Sequence, residues 1–207
     1  LVGSASGFVL QLTNVGTTTD PVFTSSIPPN TLTGDLFVDG GGSMPCLGDV
    51  NGDGVVDVVV GSDDGSLTYF ENLAGPGSDP VLVPVGDGAD DAPTSPVDDA
   101  SVASDSAPTL VDIDGDGDLD MVVGSSDGTL TVFLNTAGPG APAEYEELDN
   151  WASPLSGIDV GEDSAPTFAD VDGDGDLDLL VGAADGMFYY FENTGTATQP
   201  DLSLIHI

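Results

Sequence analysis

Residues 107–135 read APTLVDIDGDGDLDMVVGSSDGTLTVFLN, and this stretch decides the fold of the chain. Two other segments align with it: residues 44–72 read MPCLGDVNGDGVVDVVVGSDDGSLTYFEN, and residues 165–193 read APTFADVDGDGDLDLLVGAADGMFYYFEN. A partial copy at residues 1–21, LVGSASGFVLQLTNVGTTTDP, aligns with residues 180–200. The chain is therefore an array of repeats. Each copy carries one marker glycine, and these are Gly3, Gly61, Gly124 and Gly182.

The pattern inside each copy is that of β-strands. Apolar residues alternate with other residues, or form short Val/Leu runs of strand length. Asp-Gly pairs such as Asp127-Gly128 separate two such runs, and glycine tolerates the positive φ of a hairpin turn. An Asn followed closely by Gly, as at Asn135, predicts a second turn. In the second full copy the predicted strands span about 107–111, 119–125, 129–134 and 143–148.

Four antiparallel strands in a period of about 60 residues are typical of a β-propeller blade. Propellers close with roughly 4–8 blades, so three copies and a part predict an arc cut from a larger ring. The predicted fold is an all-β partial β-propeller of about three and a half blades, with neighbouring blades missing from both ends. The predicted units are a partial first blade and connection at 1–42, blades at 43–105 and 106–163, and a partial last blade at 164–201.

Two further stretches have a composition of their own. The last six residues, LSLIHI at 202–207, resemble the translation of a sequencing-library adapter, and we interpret them as an artefact rather than as part of the natural chain. The connection at 86–105 is rich in Pro, Asp, Ala and Ser, which predicts a solvated loop.

The charge of the chain excludes several functions. It contains 37 Asp and Glu, no Lys or Arg and one His, for a formal net charge of −37. Nucleic-acid binding requires basic side chains that displace counterions from phosphates, so it is excluded. Docking on an anionic membrane is excluded for the same reason. No apolar run reaches the roughly 20 residues of a membrane helix, so no membrane insertion is expected in this fragment. The single cysteine, Cys46, permits no internal disulfide and is predicted to be a small core residue.

Each full copy contains the pattern D-x-[DN]-G-D-G-x-x-D. Side-chain oxygens at positions 1, 3, 5 and 9 converge if the loop wraps around one ion, and glycine at position 6 permits the sharp turn. Position 7 would contribute its backbone carbonyl, so its residue type is free. The predicted metal ligands are Asp49, Asn51, Asp53, Val55 and Asp57 in loop 1 (49–57); Asp112, Asp114, Asp116, Asp118 and Asp120 in loop 2 (112–120); and Asp170, Asp172, Asp174, Asp176 and Asp178 in loop 3 (170–178).

Ligands that are all oxygen favour a hard ion such as Ca²⁺. Clustered carboxylates repel one another strongly, so without a cation the loops should open or take up protons. An EF-hand is excluded because position 12, for example Val123, lies in an apolar strand where that motif needs a bidentate Glu. We therefore expect three Ca²⁺ sites. Loop 1 should bind most weakly, because Asn51 replaces an acidic ligand.

These repeats resemble the FG-GAP or VCBS-type repeats of integrin α-chain propellers and of many secreted or surface proteins of microbes. The most specific part is APTFADVDGDGDLDLLVGAADG at residues 165–186. The resemblance implies a propeller in which each calcium loop joins the first and second strands of its blade. The integrin-type Gly-Ala-Pro is replaced here, for example by Gly124-Ser125-Ser126, so the chain is more similar to the microbial VCBS-like branch.

The leading functional hypothesis is a calcium-stabilised adhesion or ligand-binding module of an extracellular or cell-surface protein, with a protein or glycan ligand. The alternatives are a propeller scaffold or catalytic domain of a secreted polysaccharide-acting enzyme, and a passive acidic spacer. No catalytic residue is predicted in this chain. Glu144, Glu146 and Glu147 are interpreted as a solvated strand or edge. Trp151, Tyr189 and Tyr190 are interpreted as strand packing rather than as a glycan-binding surface.

Overall fold

A computed structural model describes residues 1–26, 36–86, 94–149 and 151–205. His206 and Ile207 of the predicted artefact, and part of the predicted 86–105 loop, lie outside these ranges. The described residues form strands and no helix, so the all-β prediction is confirmed. The strands are β1 (Gln11–Asn14), β2 (Phe23–Ser26), β3 (Met44–Gly48), β4 (Asp57–Gly61), β5 (Leu67–Asn72), β6 (Leu82–Pro84), β7 (Ala107–Val111), β8 (Asp120–Gly124), β9 (Leu130–Asn135), β10 (Tyr145–Glu147), β11 (Ala165–Ala169), β12 (Asp178–Gly182), β13 (Phe188–Asn193) and β14 (Leu202–Ile205).

The strands form four antiparallel sheets in chain order. Sheet 1 is β3-β4-β5-β6, sheet 2 is β7-β8-β9-β10 and sheet 3 is β11-β12-β13-β14, while β1 and β2 form a two-stranded sheet. The register repeats between sheets: Ala107 pairs with Gly124 in sheet 2, as Ala165 pairs with Gly182 in sheet 3. The first strands β3, β7 and β11 contact one another in succession. Such an arrangement is that of a partial propeller, with each predicted calcium loop between the first and second strands of its sheet.

The partial copy at the start of the chain adopts the expected pairing. Val2 bridges to Leu10, which is the equivalent of the pair between Val181 and Tyr189 in sheet 3. At the other end, Leu202 pairs with Asn193, so the segment that we interpret as an artefact provides the fourth strand of sheet 3. The origin of residues 202–207 and the boundaries of the repeat units therefore stay predictions.

The hydrophobic core lies between the sheets. Val59 of sheet 1 packs with Met121 and Val123 of sheet 2, and all three are fully buried. On the opposite side of sheet 2, Val122 packs with Leu179 of sheet 3. A third cluster joins the partial first sheet to sheet 1. Because successive residues of a strand point to opposite faces, each internal sheet buries both faces, which explains its continuous Val/Leu runs.

The predicted solvated loop between sheets 1 and 2 is corrected by the structure in its described part. Val97 and Ala100 are buried in the core cluster between these sheets. The connection between sheets 2 and 3 is anchored in the same way, because its Leu155 and Val160 are buried between these two sheets. The prediction was wrong because it relied on the Pro, Ser and Asp content of the connection. It gave no importance to the Ser-Pro-apolar segment, which recurs in the array at residues 95–97 and 153–155.

A serine directly before the first strand of each full sheet hydrogen-bonds to the backbone around the marker glycine of the preceding sheet, and we call this contact the serine clasp. The hydroxyl of Ser164 accepts a hydrogen bond from the Ser125 N–H at 2.9 Å and donates one to the Thr129 carbonyl at 2.7 Å. Ser106 and Ser43 make the equivalent contacts in the two preceding interfaces. The close approach requires glycine, because a Cβ on Gly124 would overlap the Ser164 carbonyl.

We expect Gly124→Ala to destabilise the fold by about 2–3 kcal/mol, since the added methyl must displace the Ser164 backbone. Gly182→Ala is the matched control: it occupies the same repeat position, but its nearest neighbouring atom would be 3.8 Å away. Urea unfolding of the two variants measures the difference. Equal destabilisation by both substitutions would contradict the serine clasp as the reason for glycine.

Candidate metal centre

The three acidic loops have the same backbone course. Each begins after the first strand of its sheet and ends at the first residue of the second strand. The glycine at position 6 adopts a positive φ in every loop, at +84° for Gly54, +99° for Gly117 and +102° for Gly175. A left-handed conformation of this kind favours glycine, and it supplies the sharp turn that the sequence pattern predicts.

The carboxylates at positions 1, 3 and 5 converge in loops 2 and 3. One oxygen from each of Asp112, Asp114 and Asp116 lies within 4.8 Å of the other two, and Asp170, Asp172 and Asp174 form the same cluster. Backbone amides hold the first ligand in place: Asp112 accepts hydrogen bonds from Gly115 at 2.7 Å and from Gly117 at 3.1 Å. The predicted carboxylates are therefore pre-positioned by the loop itself.

Loop 1 keeps this course but has a different internal contact. Asp49 accepts hydrogen bonds from the Asp53 and Gly54 amides at 3.1 and 2.8 Å. The Asn51 side-chain amide donates to Asp53 at 3.4 Å and to Glu71 at 3.2 Å. A cation in loop 1 would have to compete with this amide for the Asp53 carboxylate. That contact supports a weaker first site.

The aspartate at position 9 has a structural role that the sequence did not reveal. Asp57 is fully buried, and its carboxylate accepts hydrogen bonds from the Val50 N–H, the Asn72 N–H and the Tyr69 hydroxyl at 3.1, 2.8 and 2.9 Å. Asp120 and Asp178 accept the equivalent backbone bonds. Position 9 thus ties the loop to the second and third strands, and in loops 2 and 3 it lies outside the cluster of positions 1, 3 and 5.

Burial controls the protonation of these inner carboxyls. It raises the pKa of Asp120 to about 6, although the Asn135 and Ile113 amides lower the pKa and Asp114 and Asp118 add to the rise. Burial likewise raises the pKa of Asp57. For Asp178 burial also raises the pKa, but the hydrogen bonds from Asn193, Val171 and Tyr190 outweigh it, so the net shift is downward.

Position 7 provides the strongest local indication of a cation. The Asp118 side chain is only 9% exposed, and both carboxylate oxygens are buried without a hydrogen-bond partner. Burial, followed by the charge and the side-chain contact of Asp116 and by the charge of Asp114, raises its pKa, and the nearby Gly138 amide offsets only part of that rise. In loop 3, one oxygen of Asp176 is similarly buried and unpartnered. A buried carboxylate without a partner is costly unless a cation or a proton neutralises it.

The arrangement fits a hard divalent cation. The clustered groups in loops 2 and 3 are carboxylate oxygens, which Ca²⁺ prefers. Loop 1 has Asn51 as a neutral oxygen ligand, whereas loop 2 has Asp118 as an additional negative charge. The cluster holds no thiolate or imidazole that would favour zinc or copper. Loops 2 and 3, which have three clustered carboxylates each, are therefore suited to Ca²⁺. Loop 1 is suited to the same ion but offers fewer negative charges.

The remaining predicted residues have mixed outcomes. Cys46 packs partly buried against the core, and burial raises the pKa of its thiol to about 12. Tyr189 and Tyr190 lie in β13 and are partly buried, as predicted for strand packing. Trp151 lies outside the strands and is 99% exposed, so the prediction of strand packing was wrong for this residue. The acidic stretch at 144–147 is the exposed outer edge of sheet 2, as predicted.

Part of the chain matches a known protein family. Residues 112–181 match the family model of the FG-GAP-like repeat. The matched segment begins at the first ligand of loop 2 and ends inside β12, so it contains loops 2 and 3 completely. No curated protein matches the chain. In the part of the chain that the structure describes, no helix is long and apolar enough to cross a membrane.

Proposed function

Because the chain carries an FG-GAP-like repeat at residues 112–181, we propose that it is a calcium-binding β-propeller module of an extracellular or cell-surface protein, which acts in adhesion or ligand binding. Repeats of this family typically occur in extracellular proteins and often bind Ca²⁺. Three ions would be structural: they would fix the loops and offset the densest negative charge. The relationship to the VCBS-like branch remains a prediction.

The buried carboxylate of Asp118 carries the proposal. Both of its oxygens lack a partner in a loop where three more carboxylates converge. The chain has no Lys or Arg that could supply a salt bridge, so the compensating charge must come from outside the chain. A divalent cation neutralises several carboxylates at once, whereas a proton neutralises one.

The outer face of sheet 3 supports further blades as partners. Phe188 is 74% exposed, while the equivalent Leu130 of sheet 2 is 7% exposed because sheet 3 covers it. Gly182 has room for the serine clasp that occupies Gly61 and Gly124. Both features indicate a surface shaped for another sheet of the same repeat. Neighbouring blades of a longer protein are the proposed occupants.

We propose a binding role rather than catalysis for this module. The carboxyls whose pKa burial raises include Asp57, Asp118, Asp120 and Asp176. Each lies in a predicted calcium loop, where holding the loop or binding an ion explains its position without a catalytic role. Outside the loops, Asp64 and Asp127 accept hydrogen bonds that lower their pKa, which is the opposite of what a general acid requires.

Calcium titration by isothermal calorimetry tests the proposal and the ranking of the loops. We expect two tighter sites and one weaker site, with dissociation constants of roughly 10⁻⁴–10⁻³ M. Asn51→Asp should tighten the weakest site about threefold or more, because it adds a charge and removes the amide donor to Asp53. Asp116→Asn should weaken one of the tighter sites instead.

Glu146→Gln, a change in an exposed acid outside the loops, is the control and should leave all three affinities unchanged. Absence of calcium binding to the wild-type chain would overturn the proposed function. An unchanged weakest site in Asn51→Asp would overturn only the ranking of loop 1.

A further inference from the structure

Trp151 lies at the rim of a cleft that the calcium loops do not use. The cleft has a volume of about 730 Å³ and is lined by the β8–β9 turn, by β9 and by the connection between sheets 2 and 3. A single exposed aromatic residue needs no functional explanation. Trp151, however, is the only tryptophan of the chain, and it forms part of the wall of this cleft.

The connection that carries Trp151 is firmly attached to the fold. Leu155 and Val160 are buried between sheets 2 and 3. The Val160 N–H donates to the Gly128 carbonyl at 3.0 Å, and the Leu148 N–H donates to Val132 at 2.8 Å. Because the connection is already held in place, little conformational entropy is lost when a ligand contacts Trp151, which favours binding. The aligned position of the preceding connection is Pro93 in the sequence, so the tryptophan is particular to this cleft.

The lining of the cleft combines hydrogen-bond acceptors with hydroxyl groups. Asp127, Glu147 and Asp159 supply carboxylates, and Thr131 and Ser153 supply hydroxyls that both donate and accept. The chain has no Lys or Arg, so an anionic ligand would find no opposite charge. The ligand must therefore be neutral or cationic.

A neutral sugar matches both the polar groups of this lining and the exposed indole. Its hydroxyls both donate and accept, which matches carboxylates next to Thr and Ser. The C–H face of a pyranose ring presents an apolar surface that covers an exposed indole. The volume lies within the range of ordinary ligand sites. A cationic ligand would use the carboxylates and the indole but not the hydroxyl donors.

We propose that the cleft beside Trp151 binds a neutral oligosaccharide, with the indole stacking on one sugar ring and Asp127, Glu147 and Asp159 accepting hydrogen bonds from its hydroxyls. The proposal deepens, and rests on, the proposed role as a binding module. It assigns the ligand class and places the site away from the three metal loops.

Tryptophan fluorescence of the calcium-loaded chain tests the proposal directly, because Trp151 is the only reporter. The probes are cellohexaose, laminarihexaose, xylohexaose, mannohexaose and isomaltohexaose, with an oligogalacturonate as the anionic comparison and pentalysine as the cationic one. At least one neutral hexasaccharide should shift the emission to the blue in a saturable way. The oligogalacturonate should not.

Variants are measured by calorimetry, which does not depend on the indole. Trp151→Ala should weaken binding of that hexasaccharide at least about tenfold, and Trp151→Phe should retain part of the affinity. Phe23→Ala, which removes an exposed aromatic side chain far along the sequence, should bind as the wild type does. Because Trp151 is 99% exposed, its variants should melt at the wild-type temperature.

Three results would overturn the proposal: no response to any neutral hexasaccharide, unchanged affinity in Trp151→Ala, or binding of pentalysine alone. Calcium binding is measured in the same samples. If calcium binds and no sugar does, the cleft proposal fails and the calcium-binding module stands. If calcium does not bind, the proposed function fails whatever the sugars do.

Discussion

Saturating calcium is expected to raise the melting temperature of the metal-free chain by about 10–30 °C. With affinities typical of extracellular modules, about 10 mM Ca²⁺ exceeds the dissociation constant roughly 10- to 100-fold, which stabilises the folded state by about 1.4–2.7 kcal/mol per site. Three independent sites give about 4–8 kcal/mol. For a chain of this size each kcal/mol corresponds to about 2–4 °C.

The physical reason for so large an effect is the charge of the loops. Loops 2 and 3 each bring three carboxylates within 4.8 Å of one another, and Asp118 adds a buried charge without a partner. In the metal-free chain these groups repel one another or must take up protons. Calcium removes that penalty only in the folded state, where the carboxylates converge.

Differential scanning calorimetry in metal-free buffer, with and without CaCl₂, measures the shift. NaCl at matched ionic strength is the first control, because a chain with a net charge of −37 gains stability from screening alone. MgCl₂ is the second, since Mg²⁺ is smaller and gives up its water reluctantly. An equal rise with NaCl would show that general screening, rather than bound calcium, stabilises the fold.

Much of the fold could be predicted from the sequence because the repeats encode it locally. Alternating residues, Asp-Gly turns and the turn after Asn135 predict strands whose bounds agree with β7 to β10 within about two residues. The Asn135 side-chain oxygen accepts hydrogen bonds from Ala137 and Glu144, which closes that turn. Such signals lie within a few residues of the structure they specify.

The parts that escaped prediction depend on contacts between sheets. Ser164 is a plain polar residue in the sequence, and only the packing of sheet 3 on sheet 2 makes it the clasp of Gly124. Val97 lies in the connection that we predict to be solvated because its neighbours are polar, yet it fills the gap between sheets 1 and 2. The recurrence of Ser-Pro followed by an apolar residue was the available signal.

The metal loops show the same division. The pattern predicts that carboxylates at positions 1, 3 and 5 converge, since a single loop contains all three. It does not separate them from position 9, although Asp57 faces inward to the strands. Nor does it distinguish Asp118 from Asp176, which occupy the same position but differ in burial. Burial is set by neighbouring segments rather than by the loop.

Asp57→Ala is expected to destabilise the chain by about 3–5 kcal/mol even in metal-free buffer. The substitution leaves three buried donors without an acceptor: the amides of Val50 and Asn72 and the hydroxyl of Tyr69. Each buried donor that loses its partner costs about 1–3 kcal/mol. Asp57→Asn should cost less, because one side-chain oxygen remains as an acceptor.

Asp53→Ala separates this structural role from ion binding. Asp53 is exposed, and its contact with the backbone is the acceptance of one hydrogen bond from Val55 at 2.8 Å. Without metal its loss should cost about 0.5–1 kcal/mol. In saturating calcium the cost should rise, because a ligand of loop 1 is then missing. Urea unfolding of both variants with and without CaCl₂ gives the four values that are needed.

The comparison decides what position 9 contributes to the fold. If it acts through its backbone partners, Asp57→Ala is damaging in both buffers, and only Asp53→Ala depends strongly on calcium. If Asp57 acted only as an ion ligand, the two variants would behave alike and both would be mild without metal. The burial of Asp57 and its three hydrogen bonds favour the first outcome. The strands would then be joined to the loop before any ion binds, and calcium would stabilise a turn that the chain has already formed.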